Sequence, residues 1–526
     1  MLKKSNPSQW TRRELLRLGG MAGTASLVGA PTVGMSQPVQ AVSDAGPNVF
    51  TRVGVRPFIS LTATITINGG SHSLPEVKQA IFEAATYKVN LFELMDKVGE
   101  RLSELLGCEA AIVTSGAAAA LTHATSACLA GGDPELIQQL PDLTGLKTEV
   151  VIPRQSRNTY DHAIRSLGVK IIEIDSPEEF YAALGPNTAM IGVLGTGESK
   201  GKIRLEEMAE MARKLGIPIL VDAAAEIPSK PNVYLSRGAD LVAYSGGKVL
   251  RGPQCAGLLI GRKDLVRAAW VNSAPHHSFG RAMKVGKEEI MGMLAAIEVL
   301  MSQGTEGVFA QWRSWLEEIS RAVTAVDGVH TKMADPEGAS PYPTMTVEWD
   351  PEKISLTAGE VNDLLMNGEP RIASHASGDG HSFRIRPAAM RPGDAEVAGR
   401  RLSEIFRNAP RGIQRSTPQK PVADLSGTWE VAVQFESGKA NHTFFLEAQE
   451  NELRGTHLGT RLKGELTGRI EGDSVTLRSR LPFQGTTLSY RFTGKANSTE
   501  IYGDVDFGEY GKGHWTARRT SMQQST

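Results

Sequence analysis

From Pro75 to Leu106 apolar residues recur at helical spacing, at Val77, Ile81, Ala84 and Ala85 and again at Leu91, Leu94, Val98, Leu102 and Leu105, until Gly107 stops the run. Recurrence every three or four residues predicts one helix or two across this stretch. The pattern then changes to a short apolar strand, AAIVT (Ala110–Thr114), which runs into SGAAAAL and a small-residue helix through Ala130. Strand, tight turn and helix predict the first unit of an α/β layer. Further apolar runs follow: EVVIP (149–153), KIIEI (170–174), AMIGVL (189–194), PILVDA (218–223), DLVAYS (240–245) and GLLIG (257–261). Each reads as a buried parallel strand, with helical patterns intervening, notably at 158–167 and 205–215. That alternation predicts a mostly parallel sheet covered on both faces, an arrangement that places ligands at the carboxyl ends of its strands.

A long helical pattern at 287–325 leads into a smaller mixed unit ending near Asn408, with strand-like TMTVEW (344–349) and SFRIR (382–386). Residues 409–424, rich in Pro, Gln and Arg, read as a linker. From Leu425 onward the period falls to two: GTWEVAVQF, HTFFLEA, ELRGTHL, GELTGRI, SVTLRSR, TLSYRFT, EIYGDVD and HWTARR alternate apolar with polar residues. Eight such segments predict a small antiparallel barrel or sandwich over 425–520, with Trp429 in its core or at its base. The expected units are thus 50–285, 286–408 and 425–520.

The beginning of the chain reads as an address. TRRELLRLGG, with its Arg12-Arg13 pair, precedes a weakly apolar Ala- and Gly-rich run and VQA at 39–41. This resembles a twin-arginine secretory signal over 1–41, which implies the twin-arginine export machinery as a partner and a periplasmic destination; a retained membrane anchor is the alternative. Composition adds exclusions. Of 526 residues 40% are hydrophobic and 22% charged, which rules out disordered and collagenous classes, and a formal charge of -1 gives no field for nucleic acid. Cys108, Cys128 and Cys255 are too scattered for a disulfide framework, and the adjacent His276 and His277 lack further ligands at metal spacing, so no metal is expected.

The candidate chemistry lies at the strand ends. Asp222 closes PILVDA and Lys248 follows DLVAYSGG, so a parallel sheet brings a carboxylate and an amine to one rim. Pyridoxal phosphate needs such a pair: a lysine for covalent attachment, and an acid that keeps the pyridine nitrogen protonated so that the ring draws electrons. Ser115, Gly116 and Ala117, between AAIVT and its helix, suit a phosphate cradle at a helix N-terminus, and Ser245 can add a hydroxyl.

TSGAAAAL (114–121), YDHAIR (160–165), DAAAEIP (222–228), SGGKVLRGPQCAGLLIGRKDL (245–265) and GRAMKVGKEEIMGMLAA (280–296) together resemble fold-type-I pyridoxal-phosphate enzymes of the selenocysteine-synthase group, and most closely its D-glucosaminate-6-phosphate ammonia-lyase-like branch. The resemblance covers residues of about 50 to 410. It implies that Lys248 is the Schiff-base lysine, Asp222 the pyridinium partner, and Ser115, Gly116 and Ala117 the phosphate loop. It further implies that a residue just after EVVIP covers the ring face, with Gln155 the first choice and Arg157 or His162 the alternatives. Arg281 and Lys284 would hold substrate or a neighbouring subunit's cofactor phosphate, and Arg386, or Arg384 on the same strand, the substrate carboxylate. A homodimer or larger homo-oligomer is also implied. SGTWEV (426–431) resembles the opening of lipocalin-type barrels.

The expected function is an α,β-elimination of the ammonia-lyase or dehydratase type on a small amino acid or amino sugar acid. Two alternatives stand beside it: an aminotransferase or selenocysteine-synthase-like transferase, and an exported ligand-binding protein with an inactive cofactor fold. An export signal removes seryl-tRNA as a substrate.

Overall fold

The computed structural model describes residues 47–338, 340–411 and 418–520. The export signal expected over 1–41 and residues 412–417 of the expected linker lie outside the described residues. No helix among the described residues is long and apolar enough to cross a membrane.

The first helical pattern resolves into α1 (Pro75–Thr86) and α2 (Leu91–Leu106). The break is chemical: Asn90 accepts at its side-chain oxygen from Phe92 N at 2.9 Å and so caps α2. Strand β1 (Ala110–Thr114) then leads into α3 (Ala117–Ala130). Five strands follow that carry the expected apolar runs: β2 (Glu149–Pro153), β3 (Lys170–Ile174), β4 (Thr188–Leu194), β5 (Ile219–Asp222) and β6 (Leu241–Ser245). With β7 (Gly257–Gly261) they form a seven-stranded sheet in the order β1-β7-β6-β5-β4-β2-β3.

Five of those strands pair in parallel, but β7 runs antiparallel to both β1 and β6. This corrects the reading of GLLIG as a parallel strand. The segment between Ser245 and Gly257 holds no helix. Without a crossover element the chain can only turn back on itself, since a parallel return needs about a dozen connecting residues or more. The pattern at 158–167 is likewise less helical than expected, reduced to a turn at Thr159–Asp161 and one turn of helix at His162–Arg165.

The long pattern at 287–325 divides at Gly304 into α4 (Lys287–Gln303) and α5 (Glu306–Thr324). Beyond it a three-stranded antiparallel sheet places β9 (Thr344–Trp349) between β8 (Val329–Ala334) and β10 (Ser382–Ile385). Its own core includes Leu316, Val347, Leu402 and Phe406.

The last eight strands run from Gly427–Gln434 to Lys512–Arg519 and close into an antiparallel barrel, with the first strand paired to the last. Closure leaves no edge strand open to further pairing. Alternation puts Trp429, Val431 and Val433 inside. Phe444, Phe492 and Trp515 fill the same interior, and Trp429 is fully buried, donating from Nε1 to Leu425 O at 2.9 Å.

One hairpin of the barrel, Phe483-Gln484-Gly485, rests on the loop after β2. Arg157 Nη2 donates to Gln484 Oε1 at 2.7 Å, and the Arg165 guanidinium lies 5.8 Å from the centre of the Phe483 ring. A Cβ at Gly485 would crowd the backbone of Asn158. Under this contact Asp161, only 3% exposed, accepts from Arg157 Nε at 2.6 Å and from Arg165 Nε at 2.9 Å. Asp161→Ala is therefore expected to destabilise the fold by about 3 kcal/mol, because it leaves two recessed guanidinium groups without their shared anion. Thermal unfolding of the variant beside the parent checks this.

Candidate active site

The sheet register brings the chemistry together. Gly257, the first residue of β7, is paired with Thr114 on one side and Ser245 on the other. The Ser115-Gly116-Ala117 turn and the Lys248 loop are therefore next to each other on one rim. Asp222 ends β5, paired with Ala243 of β6, and joins the same rim.

Ser115, Gly116 and Ala117 form the mouth of α3. Gly116 has φ +86°, a conformation that side chains disfavour, and the space where its Cβ would stand is open. No side chain among the described residues caps this helix. Its first N–H groups have no partner within the helix and face the rim with the positive end of the helix dipole. Gly257 holds the turn from behind: a Cβ there would lie 2.7 Å from Ala117 N and run into the Gly116 carbonyl. Gly257→Ala is thus expected to displace the turn and weaken cofactor retention roughly tenfold, the effect of an overpacking cost near 1.4 kcal/mol. Titration of the apoprotein with cofactor measures it.

Lys248 sits on a loop closed by its own hydrogen bonds, Gly246 N to Ala256 O at 2.8 Å and Gly252 N to Gly246 O at 2.8 Å. A second segment seals the loop, since Ser71 N donates to Gly247 O at 3.1 Å and Leu74 N to Arg251 O at 3.0 Å. Burial pulls the Lys248 ammonium below its ordinary value, and the Asp222 carboxylate partly restores it. Burial conversely pushes the Asp222 carboxyl up, against the Ala224 N–H bond and the Lys248 charge that lower it. Each group feels the other's charge, so the amine and the acid stand within electrostatic reach on the same rim. Behind Asp222 a cavity of about 20 Å³ is lined by Leu121, Ile152, Ser156, Asn158 and Leu194, walls that contribute to the burial raising the carboxyl.

The other expected residues are placed as follows. Ser245 lies at the carboxyl end of β6, half-buried, with Gly257 opposite it. The Gln155 amide packs against Gly201, and its backbone carbonyl against Gly197. Arg157 is committed to Asp161, Glu173 and Gln484, and His162 is exposed. Tyr160 also faces the lysine, with Lys248 Nζ 5.8 Å from its ring centre. Arg281 and Lys284 are exposed, and neither has an ion-pair partner among the described residues. Arg384 is exposed; Arg386 is half-buried, its N–H donating to Leu61 O at 3.0 Å. Its charge lowers the Tyr342 phenol against the stronger upward push of burial. Tyr342 packs in a cluster with Ala63 and Trp312 against which Val249, the neighbour of Lys248, also packs. Arg386 therefore stands on the Lys248 side of the small sheet.

Sequence reasoning missed a cationic group beside this loop. Burial, aided by the charges of Arg391, Lys78 and Arg251, lowers the His72 imidazole to about 4. Arg391 Nε and Nη2 are buried without a hydrogen-bond partner among the described residues, Nε lying 3.9 Å from Asp394 Oδ2. The only signal in the chain was that Arg391 follows Arg386 closely after the Pro387-Ala388-Ala389 turn.

An amine, an acid aimed at the same cleft, an open uncapped helix mouth and two serines fit pyridoxal phosphate: Lys248 for attachment, Asp222 for the ring nitrogen, and Ser115 to Ala117 with Ser245 for the phosphate. Two wider clefts, about 450 and 380 Å³, lie at the opposite rim beside Cys108, Glu109 and Gly261 and away from this group.

Comparison with known proteins agrees with the site. The chain is 29% identical to D-glucosaminate-6-phosphate ammonia lyase of Salmonella typhimurium over 69% of its own length and 99% of that protein. It is 28% identical to a 5'-C-glycyluridine monooxygenase-decarboxylase of a Streptomyces species, covering 69% of this chain and 94% of that one. It is 24% identical to L-seryl-tRNA(Sec) selenium transferase of Moorella thermoacetica, covering 69% and 84%. A solved structure of D-glucosaminate-6-phosphate ammonia-lyase superposes with a TM-score of 0.62 at 29% identity, covering 69% of this chain and all of that one. The aminotransferase class-V model matches residues 77–341. The chain belongs to the aminotransferase class-V family and is a pyridoxal-phosphate-dependent lyase or transferase, with an eight-stranded barrel added at its carboxyl end.

Proposed function

We propose that this enzyme carries out an α,β-elimination on a small amino acid or amino sugar acid, releasing ammonia and a 2-keto acid. The observation that carries the reading is Lys248: a recessed amine whose proton is loosened by burial and whose charge is countered, among the described residues, by Asp222. Such an amine gives up its proton more readily than an exposed lysine, which suits it to take up and return a proton during turnover. The bound cofactor supplies an electron sink for the carbon that loses its proton. Lys248 Nζ takes the α-proton and returns it to the departing β-hydroxyl, which leaves as water, and the resulting enamine takes up water to give the keto acid and ammonia. Arg386, free of ion pairs among the described residues, suits the substrate carboxylate through its bidentate fork. The cations around His72 and Arg391 suit a further anionic group on the same molecule.

Arg386→Ala should raise KM roughly 10- to 100-fold while leaving the visible absorbance of the bound cofactor in place, the scale of one lost charge-assisted hydrogen bond. The Arg12-Arg13 pair and the small-residue run after it support action in the periplasm. Exposed Phe50, Val53, Ile67 and Phe82 support burial of this amino-terminal region against a second copy of the chain. The decisive test incubates cofactor-loaded protein with D- and L-amino acids and amino sugar acids. Ammonia and keto acid formed without an added acceptor support elimination; products that require a keto-acid acceptor overturn it in favour of transamination.

A further inference from the structure

The barrel carries a polar relay that its own folding does not use up. His457 is fully buried and Ser479 nearly so; His457 Nδ1 is 2.6 Å from Ser479 Oγ and its Nε2 is 2.9 Å from His442 Nδ1. Beneath them Phe444, Phe492 and Trp515 pack edge to face or tilted and close the interior. Above them a pocket of about 390 Å³ opens at the barrel mouth, with His442, Phe435, Leu481, Leu488, Tyr490 and Arg461 among its walls. That volume lies within the range of small-molecule sites.

The direction of the relay follows from Ser479. Its hydroxyl is buried and has His457 as its only hydrogen-bond partner among the described residues. If His457 donated to it, the serine proton would have nowhere to go, and a buried unmatched donor is costly. The serine therefore donates to His457 Nδ1, His457 Nε2 donates to His442 Nδ1, and His442 must carry its proton on Nε2. Burial holds His457 down to about 3 and lowers His442 as well, which favours the neutral forms on which this order of donors rests. His442 Nε2 has no protein partner among the described residues, and Arg461 at the rim is exposed and without an ion pair there.

We propose that the barrel mouth is a binding site for a small apolar molecule ending in an anionic acceptor such as a carboxylate, with the acceptor on His442 Nε2–H and its charge toward Arg461. The apolar body would rest on Leu481, Leu488 and Tyr490. Binding here is read without turnover at Lys248. The full chain is titrated with anilinonaphthalene sulfonate, an apolar anion whose fluorescence reports burial, and then with decanoate as competitor. Saturable binding displaced by decanoate is expected, weakened at least tenfold by Leu488→Arg, which fills the mouth, and severalfold by Arg461→Ala. His442→Phe should lose the same affinity, whereas His442→Gln, which keeps a donor, should retain most of it. Both rim substitutions are on partly or fully exposed residues, so the result stands even if the His442 variants fold poorly. Absence of saturable binding, or binding unchanged in Leu488→Arg and Arg461→Ala, overturns the proposal.

Discussion

Lys248→Ala protein is expected to be colourless after exposure to excess cofactor and to turn over at least roughly 1000-fold more slowly than the parent, because one side chain is both the attachment point and the proton carrier. The geometry makes the loss hard to rescue from within the chain. The Lys248 loop is tied by Gly246 to Ala256 and by Ser71 and Leu74 to the segment before α1, so the loop is held against sliding a neighbouring side chain into its place. Absorbance spectra and single-turnover ammonia release measure the two losses separately. A coloured, active Lys248→Ala enzyme would remove the assignment of this residue.

The second large effect is expected at Asp222. Asp222→Asn keeps the shape and the hydrogen bond from Ala224 N at 3.0 Å but removes the negative charge. Turnover should fall on the order of 100- to 1000-fold, the range seen when one preorganised electrostatic group is deleted from a dry site. Cofactor should still attach to Lys248, so absorbance persists while rate is lost. The same substitution removes the charge that holds up the Lys248 proton, so the lysine should deprotonate at lower pH than in the parent. Activity then rises with pH through a lower midpoint in the variant, which a pH series on residual turnover tests. An unchanged midpoint would mean that the two groups do not share the cleft.

Much of this site was legible because buried strands leave continuous apolar runs and the functional groups sit at their ends. PILVDA and DLVAYSGGK can be read as strand followed by chemistry with no knowledge of pairing, and the small residues after AAIVT mark the helix mouth in the same way. What could not be read was direction and partnership across distance. GLLIG has the same composition whether parallel or antiparallel; only the lack of a crossover decides it. The contacts of Tyr160 and the cluster of His72 with Arg391 depend on segments far apart in the chain, which no periodicity reports. The His442–His457–Ser479 relay was hidden for another reason. Each of its members occupies an inward position on a different strand, where alternation predicts only burial.

The barrel hairpin seated on the Arg157–Tyr160 loop has a consequence for how such a chain can be rearranged. Gln484 and Phe483 supply one side of a contact whose other side, through Asn158, also walls the cavity behind Asp222. A swap that grafts a different β-module onto the catalytic body would strip that loop of its outer support unless the three tip residues travelled with it. Transplanting the tip alone onto a foreign hairpin, rather than the whole module, would be the minimal exchange that leaves the rim intact.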